Sequence, residues 1–377
     1  VTLNRFEEER KRFPVTERYA YLDHASRGPL SPPARALIDR ELEELRFLNP
    51  AQLKTMHAKF HTAREGIASL LGTTADTIAF VASTSAGVAT AAGSLPFKPG
   101  DNVICAKGEF PANVFPWLNL TFRGAEVRFL EAVPGGITAD HVKEAMDRRT
   151  RAVALSWVGF CDGSRVDTRG IGSLCKENGT FFVLDAIQGV GALQVDLEGI
   201  DILACGSAKW TLAPQGGGFI YVRRDLVEQL HPDRVGWLSV AQNADLKNLN
   251  ALTDYRFELA GDARRFETGS SSPLTHLALG ESCAYFKQLG PKAMEERIFA
   301  LCDYMIEGLK KKGIETAIPV IQGRRSGIVC FPTPEPEKLI RRFHDAGVLV
   351  STREGNIRAG IHFYNNEEDV DRLLEVV

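Results

Sequence analysis

No GxxxxGK[ST] run occurs in the chain, and no glycine-rich GxGxxG fingerprint follows its first strand-like segment. Neither an ATP-type phosphate loop nor a dinucleotide-binding fold is therefore expected. The seven cysteines (Cys105, Cys161, Cys175, Cys205, Cys283, Cys302 and Cys330) form no CxxC pair, are odd in number and sit mostly in apolar runs. That pattern argues for reduced thiols in a cytoplasmic compartment, and no metal site is expected. Charge of one sign is not in excess: 45 basic against 48 acidic residues leave a formal −3, which speaks against a nucleic-acid partner. The opening VTLNRFEEERKRF lacks the apolar core of a secretion signal, so export is not expected. One uncharged stretch, TIAFVASTSAGVATAAGSLPF from Thr77 to Phe97, is long enough to cross a bilayer. Its start is strand-like, STS interrupts it, and a small-residue helix follows up to Pro96, whereas true spans are richer in Leu and Ile. It reads as strand, turn and helix, and no membrane partner is expected.

What is present is a long alternation. At 377 residues the chain exceeds the size at which one core stops growing, so a large and a smaller domain are expected. Helical periodicity marks residues 32 to 48, with proline at the entry, and Ala58 to Leu71. Short apolar strands then alternate with helices: IAFV (78 to 81), NVICAK (102 to 107), EVRFLE (126 to 131), AVALSWV (152 to 158), FFVLD (181 to 185), DILAC (201 to 205) and GFIYV (218 to 222). One of the intervening helices is ITADHVKEAMD, which Thr138 can cap. Near-continuous apolar strands with helices between them mean a mainly parallel seven-stranded sheet covered on both faces, an α/β fold. After Leu226 the alternation fades into a polar region read as loops. Further helices are expected near 273, 292 to 312 and 334 to 346. Strands are expected around GIVCF, GVLVST and IRAGIHF, before a final helix EEDVDRLLEV. The expected division is an N-terminal segment 1–20 packing near the small domain, a large domain 21–272 and a small α/β domain 273–377.

Open parallel sheets bind ligands beyond the carboxyl ends of their strands, so residues at the strand ends are the first candidates. After IAFV come Ser83, Thr84 and Ser85 at a helix start, either a phosphate cradle or an ordinary cap. After NVICAK, Phe110 and Trp117 follow a proline turn, as a stacking platform or as core. Asp185 ends FFVLD with Gln188 three residues on; a carboxylate there is costly unless it meets a cation or donor, or caps the next turn. Beyond DILAC, Ser207, Lys209 and Trp210 precede the GGG of a tight turn. Lys209 is a candidate for an amine that bonds a carbonyl, or a structural ion-pair lysine.

A phosphate cradle, an aromatic platform, a carboxylate for a ring nitrogen and a carbonyl-bonding lysine together describe a pyridoxal 5'-phosphate site. In their order these elements resemble the class V aminotransferase family of fold-type I pyridoxal-phosphate enzymes, which includes cysteine desulfurases and isopenicillin N epimerase. The likeness runs from YLDHASRGPL (21 to 30) to IHFYNNEEDVDRLL (361 to 374). It implies that Lys209 carries the cofactor, Asp185 pairs with the pyridine nitrogen and Gln188 donates toward the phenolic oxygen. Phe110 takes the ring-stacking place, in EFPAN where the desulfurases have EHHxN. Thr84, Ser85 and Ser207 hold the phosphate, and Ser270 of RFETGS reaches it across a homodimer interface. Arg358 grips the substrate carboxylate. His24 and Arg27 line the substrate entrance, with His24 as a second acid or base, or are a backbone-supporting histidine and a surface arginine; Arg353 adds a second anionic contact or is a loop cation.

Among reactions that share these parts, an aminotransferase acting on a small or acidic α-amino acid is placed first. A lyase cleaving C–S or another bond at Cβ is placed second, and an epimerase third. A noncatalytic dimeric scaffold is the remaining alternative. VSTREGNIRAG, residues 350 to 360, contains no cysteine where desulfurases keep one, which speaks against persulfide formation.

Overall fold

The structure, a computed structural model, describes residues 2–47, 50–244, 252–253, 255–316 and 323–377. Loops expected at 245–251 lie outside them. The helices are α1 Thr2–Arg10, α2 Pro32–Leu45, α3 Pro50–Leu71, α4 Thr84–Ser94, α5 Ala139–Ala145 and α6 Thr168–Asn178. After them come α7 Pro273–Leu289, α8 Pro291–Lys311, α9 Pro336–Asp345 and α10 Glu367–Val376, with shorter turns between. Their starts follow local chemistry. The hydroxyls of Ser31, Ser83 and Ser272 accept from the N–H groups of Ala34, Ala86 and Thr275. Thr138 caps α5, and its N–H donates to His141 Nδ1 at 3.1 Å.

Twelve strands follow in chain order: β1 Ala20–Tyr21, β2 Ile78–Val81, β3 Asn102–Ala106, β4 Glu126–Leu130, β5 Thr150–Ser156, β6 Phe181–Asp185, β7 Ile202–Gly206, β8 Gly218–Val222, β9 Ile328–Pro332, β10 Val348–Leu349, β11 Ser351–Arg353 and β12 Asn356–Gly360. Seven form the central sheet, in the order β2-β8-β7-β6-β5-β3-β4. It is mixed: β8 runs antiparallel to both of its neighbours, and the other six run the same way. The alternation inside each strand explains why both faces are covered. Ile104, Val153, Phe182 and Leu203 point into one apolar cluster with Ile171 of α6. Val103, Ala152, Val183 and Ile202 point into the other with Val88 and Ala91 of α4.

The C-terminal part differs from expectation at one place. GVLVST is two short strands in two sheets, because β10 pairs in parallel with β1 while β11 pairs antiparallel with β12. β12 in turn pairs antiparallel with β9. The N-terminal segment reaches this region. Phe13 stacks on Tyr364 at 4.0 Å, Phe6 lies 5.7 Å from Phe363, and Arg10 grips Asp369 with two bonds of 2.7 and 2.9 Å. α7 packs along α2 and α3. Among the described residues no helix is long and apolar enough to cross a membrane.

Candidate functional site

Because six strands of the sheet run the same way, the turns after β2, β3, β5, β6 and β7 emerge on one edge. The antiparallel β8 returns the chain at that edge, so the β7–β8 turn, Ser207 to Gly217, projects over it with Lys209. This turn is clamped from outside. Gly28 N–H donates to Ala208 O at 2.9 Å and Ser31 N–H donates to Leu212 O at 2.8 Å, while within the turn Leu212 N–H donates to Lys209 O at 3.1 Å. Leu212 holds φ at 50°, a left-handed conformation uncommon for a bulky residue. Gly28 lies so close that a Cβ there would stand 2.2 Å from Lys209 O.

The turns enclose a cavity of ≈ 270 Å³ lined by Lys209, Asp185, Phe110, Thr84, Ser85 and Ser207, together with Ser26, Arg27, Gly206 and Gly217. Burial pushes the Lys209 amine down to about 8; Asp185 opposes this, and Arg358 and Arg353 add to it. Burial also raises Asp185 to about 6, against the Ile187 N–H, which donates to Oδ1 at 3.0 Å, and against Lys209. Phe110 is 48% exposed, open enough to lie against a flat ligand, and Lys209 Nζ stands 5.7 Å from its ring centroid. Phe160 meets Phe110 edge-on at 5.3 Å. At the start of α4 the Thr84 hydroxyl is buried with no hydrogen-bond partner, an orphan that a phosphate oxygen would satisfy. A primary amine, a carboxylate, an aromatic face and an unsatisfied hydroxyl at a helix start fit a phosphorylated pyridine aldehyde, so these residues could hold the expected cofactor.

Several expected residues stand elsewhere. His24 is fully buried outside the cavity lining, with Nδ1 against Gly360 O at 2.8 Å and Nε2 against the Tyr364 hydroxyl at 2.6 Å. Burial holds it well below the ordinary histidine range, and its contacts join the 21–24 segment to the C-terminal part, as the reading of a backbone-supporting histidine has it. Gln188 makes contacts of the same kind. Its carboxamide oxygen accepts from Trp210 Nε1 at 2.7 Å and its NH2 donates to Ala25 O at 3.0 Å, outside the lining. Ser207 lines the cavity, yet its hydroxyl donates within the turn, to Gly217 O at 2.9 Å and to Pro214 O. Ser270 lines a neighbouring cavity of ≈ 390 Å³ that shares Ala82 and Gly216 with the first.

The arginines cluster behind one residue that sequence reasoning missed. Arg358 is almost wholly buried and donates to Ser26 Oγ at 2.7 Å, Phe160 O at 2.7 Å and Ser351 Oγ at 3.2 Å, with Asp23 Oδ1 at 3.9 Å. Burial and then Arg353 lower it to about 10. Arg353 donates to Thr352 O at 2.6 Å and to Ser26 Oγ at 3.4 Å, and Arg27 donates to Gln215 Oε1 at 2.9 Å at the rim. Ser26 carried no sequence signal, since its role comes from strands more than three hundred residues away. Glu109 was also missed, although it follows a strand end as Asp185 does. Six cysteines are buried; Cys161 is half-buried, and burial followed by Glu354 raises its thiol to about 11. No cluster of three or more histidine, cysteine or acidic side chains that could hold a metal occurs among the described residues.

Comparison with known proteins places this geometry in context. The family model "Aminotransferase class-V" matches residues 49–373. A probable cysteine desulfurase of Methanothermobacter thermautotrophicus is 26% identical, across 99% of this chain and 97% of that protein. An uncharacterized aminotransferase of Schizosaccharomyces pombe is 27% identical, across 98% and 94%. Solved structures of C-DES share the fold. One, a variant with glycine covalently linked to its PLP cofactor, has a TM-score of 0.89 at 19% identity, covering 97% of this chain and 98% of that one. Another, named as the cystine C-S lyase with its product cysteine persulfide, has a TM-score of 0.88 at 20% identity, covering 96% and 98%.

Proposed function

The chain belongs to the class V aminotransferase family of pyridoxal-phosphate enzymes, and from that premise we propose that it is a lyase cleaving the C–S bond of a small cysteine- or cystine-like α-amino acid. This sets the lyase reading ahead of the aminotransferase reading placed first from sequence. Relatives of nearly the full length named for sulfur chemistry support it.

In this reading Lys209 carries the cofactor, Asp185 holds the proton of its ring nitrogen, Phe110 flanks the ring, and Thr84 and Ser85 take the phosphate at the start of α4. Pyridoxal phosphate, when bound, supplies an electron-accepting ring beside the substrate Cα. Arg358 grips the carboxylate and so fixes which Cα bond faces the ring. The Lys209 amine, lowered to about 8, is more readily neutral than an ordinary lysine and takes the Cα proton at Nζ. The observation that carries the choice of free sulfur product over transfer to the enzyme is the state of the thiols. Six are buried, and the half-buried Cys161 is raised to about 11, far from a nucleophilic thiolate. Unpaired, mostly buried cysteines also support a reducing, cytoplasmic setting. Ser270 lies in the adjoining cavity, which supports a homodimer in which it reaches the phosphate of a second copy.

The cofactor-loaded protein incubated with L-cysteine, L-cystine and a panel of other amino acids tests the reaction. Pyruvate, ammonia and a sulfide or persulfide product are expected. Conversion of the cofactor to pyridoxamine phosphate with release of a keto acid and no sulfur product would instead establish transamination. That second reading is supported by the relative named as an aminotransferase.

A further inference from the structure

The turn after β3 carries a second carboxylate, Glu109, that none of these roles uses. It is half-buried, and one residue holds both of its oxygens: the Ser156 N–H donates to Oε1 at 2.6 Å and the Ser156 hydroxyl donates to Oε2. Ser156 ends β5 and sits in direct parallel register with Asp185, the last residue of β6. The next residue, Trp157, donates its N–H to Asp185 O at 2.8 Å. Glu109 thus ties the end of β3 to the strand end beside Asp185.

The electrostatics follow the same line. Burial raises Glu109 to about 7, the two Ser156 donors and the Asn113 side chain oppose that rise, and Asp185 on β6 adds to it. From β3, the buried Cys105 thiol feels Glu109 in turn. Lys107 on the same turn is occupied by Glu131, and Lys209 acts on Asp185, favouring its charged form. Asp185 and Glu109 are thus two buried carboxyl groups joined through the paired strand ends of β5 and β6, with Lys209 acting on Asp185.

We propose that Glu109 is a positioning residue for Asp185: through Ser156 it fixes the strand end from which Asp185 faces the cofactor ring, and its charge strengthens the hold on protons at that ring and at Lys209. This rests on the reading of Asp185 as the partner of the ring nitrogen. A merely structural Glu109 would affect folding without moving a titration.

The test is a pH titration of the visible absorption band of the lysine-linked cofactor in the holoenzyme and in Glu109→Gln, Ser156→Ala and Asp185→Asn, with cofactor affinity measured by quenching of tryptophan fluorescence. Glu109→Gln is expected to lower the midpoint by roughly half a pH unit or more, since it removes a nearby negative charge. Ser156→Ala frees Glu109 of its hydroxyl donor, which favours its neutral form, so a smaller shift in the same direction is expected; it decides the matter if Glu109→Gln does not fold. Wild-type midpoints in both variants, with a shifted midpoint in Asp185→Asn, overturn the role of Glu109 alone. Wild-type midpoints in all three overturn the reading of Asp185 and this inference with it.

Discussion

Asp185 is a costly residue where it stands. Its folded value of about 6 lies above the ordinary 3.8, so between those values the folded chain holds a proton that the unfolded chain has released. Stability of the cofactor-free protein therefore falls as pH rises through that window, and the penalty is complete above it. Asp185→Asn, nearly isosteric and uncharged, is expected to stabilise the cofactor-free protein by about 1–3 kcal/mol at pH 7.5, with the difference gone near pH 4. Thermal unfolding at the two pH values measures this, and a variant less stable than wild type at pH 7.5 would contradict it. The residue is thus set for a partner rather than for the empty fold. Asp185, Lys209, Phe110, Thr84 and Ser85 were legible in sequence because each follows a parallel strand, whose direction commits it to one edge. The partners of His24 and Gln188 were not. Whether their polar atoms face the cavity or a backbone carbonyl depends on Gly360, Tyr364 and Ala25, which only the folded chain brings near.

The clamp on the lysine turn belongs to the scale of elements. Residues 26 to 31 have no regular structure of their own, yet their backbone bonds to the 207–217 turn set where Lys209 stands. A methyl group at Gly28 would collide with Lys209 O at 2.2 Å and Leu212 Cδ2 at 2.4 Å, so one of the two segments would have to move. Gly28→Ala is expected to cost about 1–3 kcal/mol of stability and to weaken cofactor binding about tenfold, because the strain falls on the lysine's own carbonyl. Thermal unfolding together with an absorbance titration of the cofactor measures both, and wild-type cofactor affinity would show that the clamp does not set the lysine. Such a clamp is invisible to periodicity, which reports on helices and strands but not on which loops touch. The same blindness merged β10 and β11 into one expected strand. Their alternation is continuous, and only pairing with β1 on one side and β12 on the other divides them.

For the molecule as a whole, the question is whether one copy completes the cavity. Ser270 and Arg234 line the adjoining space that meets the lysine cavity at Ala82 and Gly216, while Trp237 and Phe257 are exposed, as expected of a surface that a second copy covers. If a second copy supplies Ser270 to the phosphate, Ser270→Ala should weaken cofactor binding by about tenfold, the worth of one charge-assisted hydrogen bond. Dilution below the dimer dissociation constant should weaken wild type by at least as much. Cofactor titration alongside sedimentation measures this, and undiminished affinity in a verified monomer would refute the shared site. By itself the sequence determined the α/β class, the seven strands, the sheet edge that carries the candidate site and the cofactor, because burial periodicity and strand-end chemistry are local and each residue carries its own share. Only the tertiary structure decided which polar groups face that edge. The Arg358–Ser26 contact, the burial of His24 and the tie from Glu109 to Asp185 each join elements whose approach depends on how the whole chain packs.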